Sequence, residues 1–438
     1  MTEVSPTSMQ RFFKSAFDIR ADEIRATLIS FLLILFLMTA YYLLRPVRDA
    51  MASDWTDAEV SWLWTFTFFF SAIAVSLYGI AVTKIKFTRL IPVVYGFFAL
   101  SFTAFYAGTQ SLADRELLDK SFYVWLSVFS LFHVSVFWSF MSDLYSQPQA
   151  VRLFAFIGAG ASAGGIIGPA IASLMVKDIG TDQLLLIASV LLLITLPGIG
   201  WLQNLKSTEL SNEVPGEMSG AKASTSAIGG NPFAGFTMLF TSRFLLGICV
   251  FILLYVSIVS FVYFELKNLL AEYTRNERSQ IWSNMDLAVN SLTLLVALFA
   301  TGRIAKRWGL SFTLASVPVL IAAGLLILAA APMVAVVVGL QIVRRAGNYG
   351  ITRPAREMLF TAVDRETRFK AKPVIDIVVY RGGDMMSAWA FTALSQGLGL
   401  GLAAVAGVGA GIAALWAIVG IYLGRQFHAF ERDDDVTQ

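Results

Sequence analysis

The chain has 438 residues, 57% of them hydrophobic and only 14% charged, whereas a soluble globular chain carries about 25% charged residues. Uninterrupted apolar runs of about 20 residues recur from end to end, which excludes a soluble enzyme and indicates a polytopic membrane protein. One cysteine, Cys249, and two histidines, His133 and His428, exclude a disulfide framework and make a metal site or cofactor improbable, while a net charge of +3 scattered over short loops leaves no footprint for nucleic acid.

Residues 1–25 form a polar, amphipathic segment without the apolar core of a signal peptide. Beyond it each crossing needs about 20 apolar residues, because a helix satisfies its own backbone hydrogen bonds in lipid. The pattern predicts twelve spans, at 26–47, 61–82, 90–108, 121–142, 153–176, 183–202, 243–267, 281–302, 310–331, 333–350, 373–396 and 402–424. A linker at 203–242, rich in Ser, Gly and Pro, divides them into halves at 26–202 and 243–424, and a polar tail follows at 425–438. The expected fold is therefore an all-α integral membrane protein, twelve transmembrane helices in two six-helix halves, of major-facilitator-like architecture.

Lys and Arg are retained on the cytoplasmic side. With the N-terminus inside, the inner segments hold 22 of the 33 basic residues and the outer loops six, so both termini are expected in the cytoplasm, as in a bacterial inner-membrane protein. Lys84, Lys86 and Arg89 after the second span match Arg303, Lys306 and Arg307 after the eighth, as a repeated half would require.

Five arginines lie within or at the edge of the spans, where a charge costs about 2.5 to 3.5 kcal/mol and is a functional hypothesis by default. The first span ends Tyr41, Tyr42, Leu43, Leu44, Arg45, Pro46, Val47, Arg48. Tyr42, Arg45 and Arg48 lie at helical spacing on one stripe, suited to an anionic or aromatic solute or, equally, to anchoring at the interface. Arg344 and Arg345 stand about eleven residues into the tenth span, either serving an anionic solute or paired internally with Asp286, Asp376 or Asp384. Arg381 and Asp384, three apart, are expected to pair, and Asp286 and Asp384 are the candidate coupling carboxylates for a proton-driven carrier. Glu265 reads as a solvated helix end, and His133 as a residue bonded to a neighbouring helix. Gly158, Gly160, Gly164, Gly165 and Gly168 mimic a phosphate loop, but no strand precedes them and close helix packing is the better reading.

At these residues the chain resembles the ATP/ADP exchange carriers, the nucleotide transporters of plastids and intracellular bacteria, over nearly its whole length. Leu43, Leu44, Arg45 through Arg48, Asp49 is similar to that family's Leu-Leu-Arg and Lys-Asp pattern. Phe137, Trp138 through Asp143 to Arg152 and Gly158 is similar to its Phe-Trp, acidic and basic-aromatic-glycine succession, and Tyr255 to Lys267 resembles its seventh helix. Pro354, Ala355, Arg356, Glu357, Met358, followed by Lys370, Lys372, Asp376 and Arg381, resembles its Pro-Thr-Lys-Glu-Met and lysine-rich loop. The resemblance implies a nucleotide carrier with Glu357 among its binding residues. The family's charged residues near Leu126, Tyr263, Asn284 and Asp384 are replaced here, which implies a smaller phosphorylated or otherwise anionic solute. The expected protein is a secondary active transporter, monomeric and in contact with lipid, not an enzyme. Its expected site lies between the halves and holds Tyr42, Arg45, Arg48, Arg344, Arg345, Glu357 and Arg381. The alternative is a proton-coupled exporter of amphipathic compounds.

Overall fold

A computed structural model describes residues 19–20, 22–84, 87–208, 210, 239, 242–299, 301–363, 371 and 374–437. Most of the 203–242 linker, Lys86, Lys370 and Lys372 lie outside the described residues, as do the side chains of Lys84, Arg303, Lys306 and Asp376. Every described element is helical. They are α1 (Ile24–Met51), α2 (Asp57–Lys84), α3 (Phe87–Ser111), α4 (Glu116–Leu144), α5 (Gln147–Thr208), α6 (Arg243–Leu269), α7 (Arg275–Phe299) and α8 (Thr301–Ala330). There follow α9 (Val334–Gly347), α10 (Arg353–Leu359), α11 (Tyr380–Thr392) and α12 (Leu402–Thr437). Three π turns, Asn348–Thr352, Val374–Val379 and Ala393–Gly397, interrupt the tenth and eleventh expected spans.

Seven described stretches are long and apolar enough to cross a membrane, one of them, Arg152–Lys206, covering two of the expected spans. The division falls at Gly180, whose φ of 81° breaks α5. Gly309, at φ 74°, breaks α8 between the eighth and ninth expected spans in the same way. An L side chain at either φ would be strained, so glycine supplies the two reversals.

The chain forms two compact units. Unit 1 comprises Met1–Met51, Phe69–Thr225 and Arg275–Leu287, and unit 2 comprises Ala52–Phe68, Ser226–Thr274 and Ala288–Gln438. In unit 1, α1 lies along α5 on the glycine stripe. A Cβ added at Gly160, Gly164 or Gly168 would stand 2.5, 2.5 and 2.7 Å from the backbone oxygens of Phe31, Leu35 and Thr39. With lipid as apolar as leucine, such close van der Waals fit is what holds membrane helices together, so these glycines are packing residues. Tyr145, just past α4, bonds Ser30 of α1 at 2.9 Å, and Arg152 holds Glu23 at 2.7 Å beside the start of α1.

Unit 2 is centred on α6, which packs on α11, α12 and α9, while α8 runs along α12. The first turns of α2 also belong to unit 2. They begin with a reciprocal cap, Thr56 N donating to Glu59 Oε2 at 2.8 Å and Glu59 N to Thr56 Oγ1 at 3.3 Å. Ser61 then bonds Thr392 at 2.8 Å, and Trp389 Nε1 donates to Thr65 Oγ1 at 3.1 Å. The cap places Asp57 at the first turn of α2, where the helix dipole favours a carboxylate.

Candidate functional site

Unit 1 gathers the charges of the first span. Arg48 donates to Asp49 Oδ1 from Nε at 3.0 Å and from Nη2 at 2.6 Å, and to Ser127 Oγ at 3.2 Å, while its guanidinium lies 5.4 Å from the ring centre of Tyr123. Arg45 Nε stands 3.7 Å from Asp49 and 3.8 Å from Asp286, and its guanidinium lies 5.8 Å from the Tyr42 ring centre. Two arginines thus meet two buried carboxylates, and the cluster is close to electroneutral. Asp286 is spent on Arg45, so it is not the partner of Arg344 that spacing allowed. Asp49, adjacent to Arg48 in sequence, is the counter-ion that sequence reading passed over. It is one residue from Arg48 and four from Arg45, a spacing that could have shown it. His133 bonds Phe129 O on its own helix at 3.1 Å and meets the neighbouring α1 through its ring, centred 4.5 Å from that of Tyr41, instead of through a side-chain hydrogen bond.

Unit 2 carries two charged levels. At the first, Arg344 and Arg345 close the last turn of α9, where cations oppose the helix dipole favourably. They are 4% and 3% exposed. Arg344 donates from Nε and Nη2 to Gln341 Oε1 at 3.3 and 2.5 Å. Among the described residues no carboxylate lies within ion-pair distance of Arg344. Its electrostatic surroundings are Tyr255, Arg345, Tyr349 and Tyr380, together with Asp384, which acts on it from beyond ion-pair distance and is paired with Arg381. Tyr255 and Tyr380 are hydrogen-bonded, with ring centres 6.2 Å apart. Arg356, also buried, reaches the field of Tyr255 and holds the more exposed Glu357 at 3.3 Å. Arg381 and Asp384 pair at 3.5 Å. Among the described residues this level thus holds four guanidinium groups and two carboxylates, Glu357 paired with Arg356 and Asp384 with Arg381. Two π turns set this level, one carrying Tyr349 and the other leading into Tyr380; π turns re-aim side chains and recur at functional sites. Gln341 and the three tyrosines were not singled out from sequence. The position of Gln341, three residues before Arg344 on the same face, is the only local signal for any of them.

The second level lies at the far end of α6. Lys267 Nζ meets Asp57 Oδ1 at 2.7 Å with both side chains buried. Asp57 Oδ2 also accepts from Ser395 at 2.7 Å and from Asn268 at 3.4 Å. Glu265, expected at a solvated helix end, is instead 0% exposed, because the start of α2 covers this end of α6: Trp64 lies 5.4 and 5.6 Å from the rings of Tyr263 and Phe264.

A bundle of long apolar helices with buried arginines defines the class: a multi-pass membrane protein built as a transporter. The chain belongs to the Major Facilitator Superfamily, whose family model matches residues 30–363. That model describes the superfamily as a whole and singles out no ATP/ADP exchange branch. No curated protein shows significant similarity to the chain. Among solved structures it is similar to a POT family transporter in complex with 5-aminolevulinic acid, at TM-score 0.64 and 12% identity over 92% of this chain and 96% of that one. A bacterial homologue of the iron transporter ferroportin in an inward-facing state is similar at TM-score 0.63 and 13% identity, over 92% and 99% of the two chains. The nucleoside transporter NupG is similar at TM-score 0.59 and 12% identity, again over 92% and 99%. At these identities the likeness establishes the fold alone.

Proposed function

We propose that this transporter is a monomeric secondary active carrier that moves an anionic solute, nucleotide-like or phosphorylated, across a bacterial inner membrane by alternating access. One observation carries the reading: Arg344 is buried in the membrane domain with a neutral glutamine as its hydrogen-bond partner and no carboxylate within ion-pair distance among the described residues. The carboxylate that does act on it, Asp384, is beyond ion-pair distance and already paired with Arg381; a buried guanidinium so weakly compensated is expensive, and an anionic solute would supply the missing contact. Arg345, Arg356 and Arg381 add positive field, and Tyr255, Tyr349 and Tyr380 offer rings and hydroxyls to a planar or hydroxylated solute. Arg45 and Arg48, with Tyr42, are the weaker candidates, since Asp49 and Asp286 already balance them. The resemblance to ATP/ADP exchange carriers favours a phosphorylated solute, and the replaced charges favour one smaller than a nucleoside triphosphate.

The test is uptake by the purified protein in proteoliposomes, comparing nucleotides, sugar phosphates, organic anions and neutral nucleosides, with and without a pH gradient. Saturable uptake of a phosphorylated or carboxylated solute is expected, and neutral analogues should not compete. Uptake confined to neutral or cationic compounds would refute the assignment.

Orientation rests on 22 inner against six outer basic residues. In a Cys249→Ser background, Asp114→Cys should be labelled from outside intact cells by an impermeant thiol reagent, and Ser224→Cys only after permeabilisation. Labelling of both from outside would overturn the proposed topology.

A further inference from the structure

Glu265 is 0% exposed, and neither carboxyl oxygen has a hydrogen-bond partner among the described residues. The cation nearest in sequence, Lys267, is committed to Asp57 at 2.7 Å. We propose that Glu265 is a proton-binding site of this transporter, occupied while the start of α2 is seated on α6 and emptied when the two separate. The inference rests on the alternating-access reading above, but not on the identity of the solute.

An ionised carboxylate with no counter-ion and no donor costs several kcal/mol in a protein interior. A neutral acid in the same place costs only the loss of its own hydrogen bonds, about 1 to 3 kcal/mol. In the seated arrangement Glu265 is therefore a carboxylic acid.

The groups facing it favour the same state. From the start of α2 comes Asp57, whose negative field bears on Glu265. From α6 come Lys267 and Asn268, and from the π turn Ala393–Gly397 comes Ser395, all three spent on Asp57. α12 brings no charged residue between Leu402 and Leu423. Arg344 and Asp384 belong to the other level. Tyr255, which Arg344 faces, is ten residues from Glu265, about 15 Å along the helix. Gly383 lies against Leu253 and Val256, so Asp384 sits at the Tyr255 level of α6.

Separation of α2 from α6 would admit water, remove the desolvation penalty and release the proton. Proton binding and closure of this end of the helix pair are thereby one equilibrium, and raising the pH favours the separated form.

Two measurements on the purified protein in lipid test this. Infrared difference spectra across a pH titration should show a protonated-carboxyl band that fades as pH rises in the native protein. The band should be missing in Glu265→Gln, shifted in midpoint in Glu265→Asp, and unchanged in Asp384→Asn. In a Cys249→Ser, Thr56→Cys background, thiol labelling at the start of α2, divided at each pH by that of the same cysteine in denatured protein to remove the thiolate effect, should rise several-fold with pH, and Glu265→Gln should abolish that rise. A carboxyl band that survives Glu265→Gln, labelling that is flat with pH in the parent, or labelling that follows sodium instead of pH would each overturn the proposal. Neither readout uses the solute, so a wrong anion assignment leaves this test intact.

Discussion

Arg344→Gln should weaken binding of the proposed anionic solute by roughly 10- to 150-fold, the equivalent of one buried charge-assisted contact of about 1.5 to 3 kcal/mol. The expectation follows from its surroundings: buried at 4% exposure, it donates to the neutral Gln341 and has no carboxylate within ion-pair distance among the described residues, so its charge is available to a ligand. Arg344→Lys recovers part of the loss, since charge survives but the planar fork does not. Arg48→Gln behaves differently. Its guanidinium is already spent on Asp49 and Ser127, so removing it leaves the buried Asp49 with only the longer contact to Arg45 at 3.7 Å, and stability falls more than affinity. Isothermal titration and thermal denaturation on the same preparations separate the two. If Arg344→Gln leaves affinity unchanged while destabilising the protein, the arginine is a packing element and the anion assignment fails.

Lys267→Met destabilises the protein by about 3 to 5 kcal/mol, because breaking a buried pair leaves an uncompensated charge. The pair is sealed, with 2% and 7% side-chain exposure, and Asp57 would retain only Ser395 and Asn268 as neutral donors. The double variant Lys267→Met, Asp57→Asn should regain most of that loss, since a buried ion pair contributes little net stability over neutral groups of similar volume. Thermal unfolding of the two single variants and the double variant closes the cycle. Additive losses would mean that the two side chains do not depend on each other.

The helices were legible in the sequence because apolar run length is dictated by the bilayer, and every described α-helix except the short α10 (Arg353–Leu359) overlaps an expected span. The glycine stripe of α5 was read correctly as packing for a similar reason: small residues at four-residue spacing have one common use between membrane helices. The candidate site was less legible. Arg344 and Arg345 were visible as charges out of place, but which carboxylate met which arginine was not, because pairing depends on rotation about each helix axis. Asp286 was a possible partner for Arg344 by type alone, and in the fold it stands against Arg45. The π turns at Asn348–Thr352 and Val374–Val379 rotate the residues beyond them out of α-helical phase. No local pattern announces such turns, so Tyr349 and Tyr380 could not be placed around Arg344. Glu265 was misplaced because the start of α2, about two hundred residues away in the chain, packs on this end of α6, with Trp64 against Tyr263 and Phe264 and Asp57 on Lys267.

The seam between α1 and α5 has a thermal consequence. Glycines at 160, 164 and 168 meet the backbone of α1 directly, and glycine has no rotamers to freeze when helices dock. On the α5 side these glycine contacts therefore form with no loss of side-chain entropy and regain none on opening. A contact of this kind does not loosen progressively as temperature rises, as one built from long flexible side chains would. Under the proposed alternating access, α1 and α5 should travel together as one stiff plate.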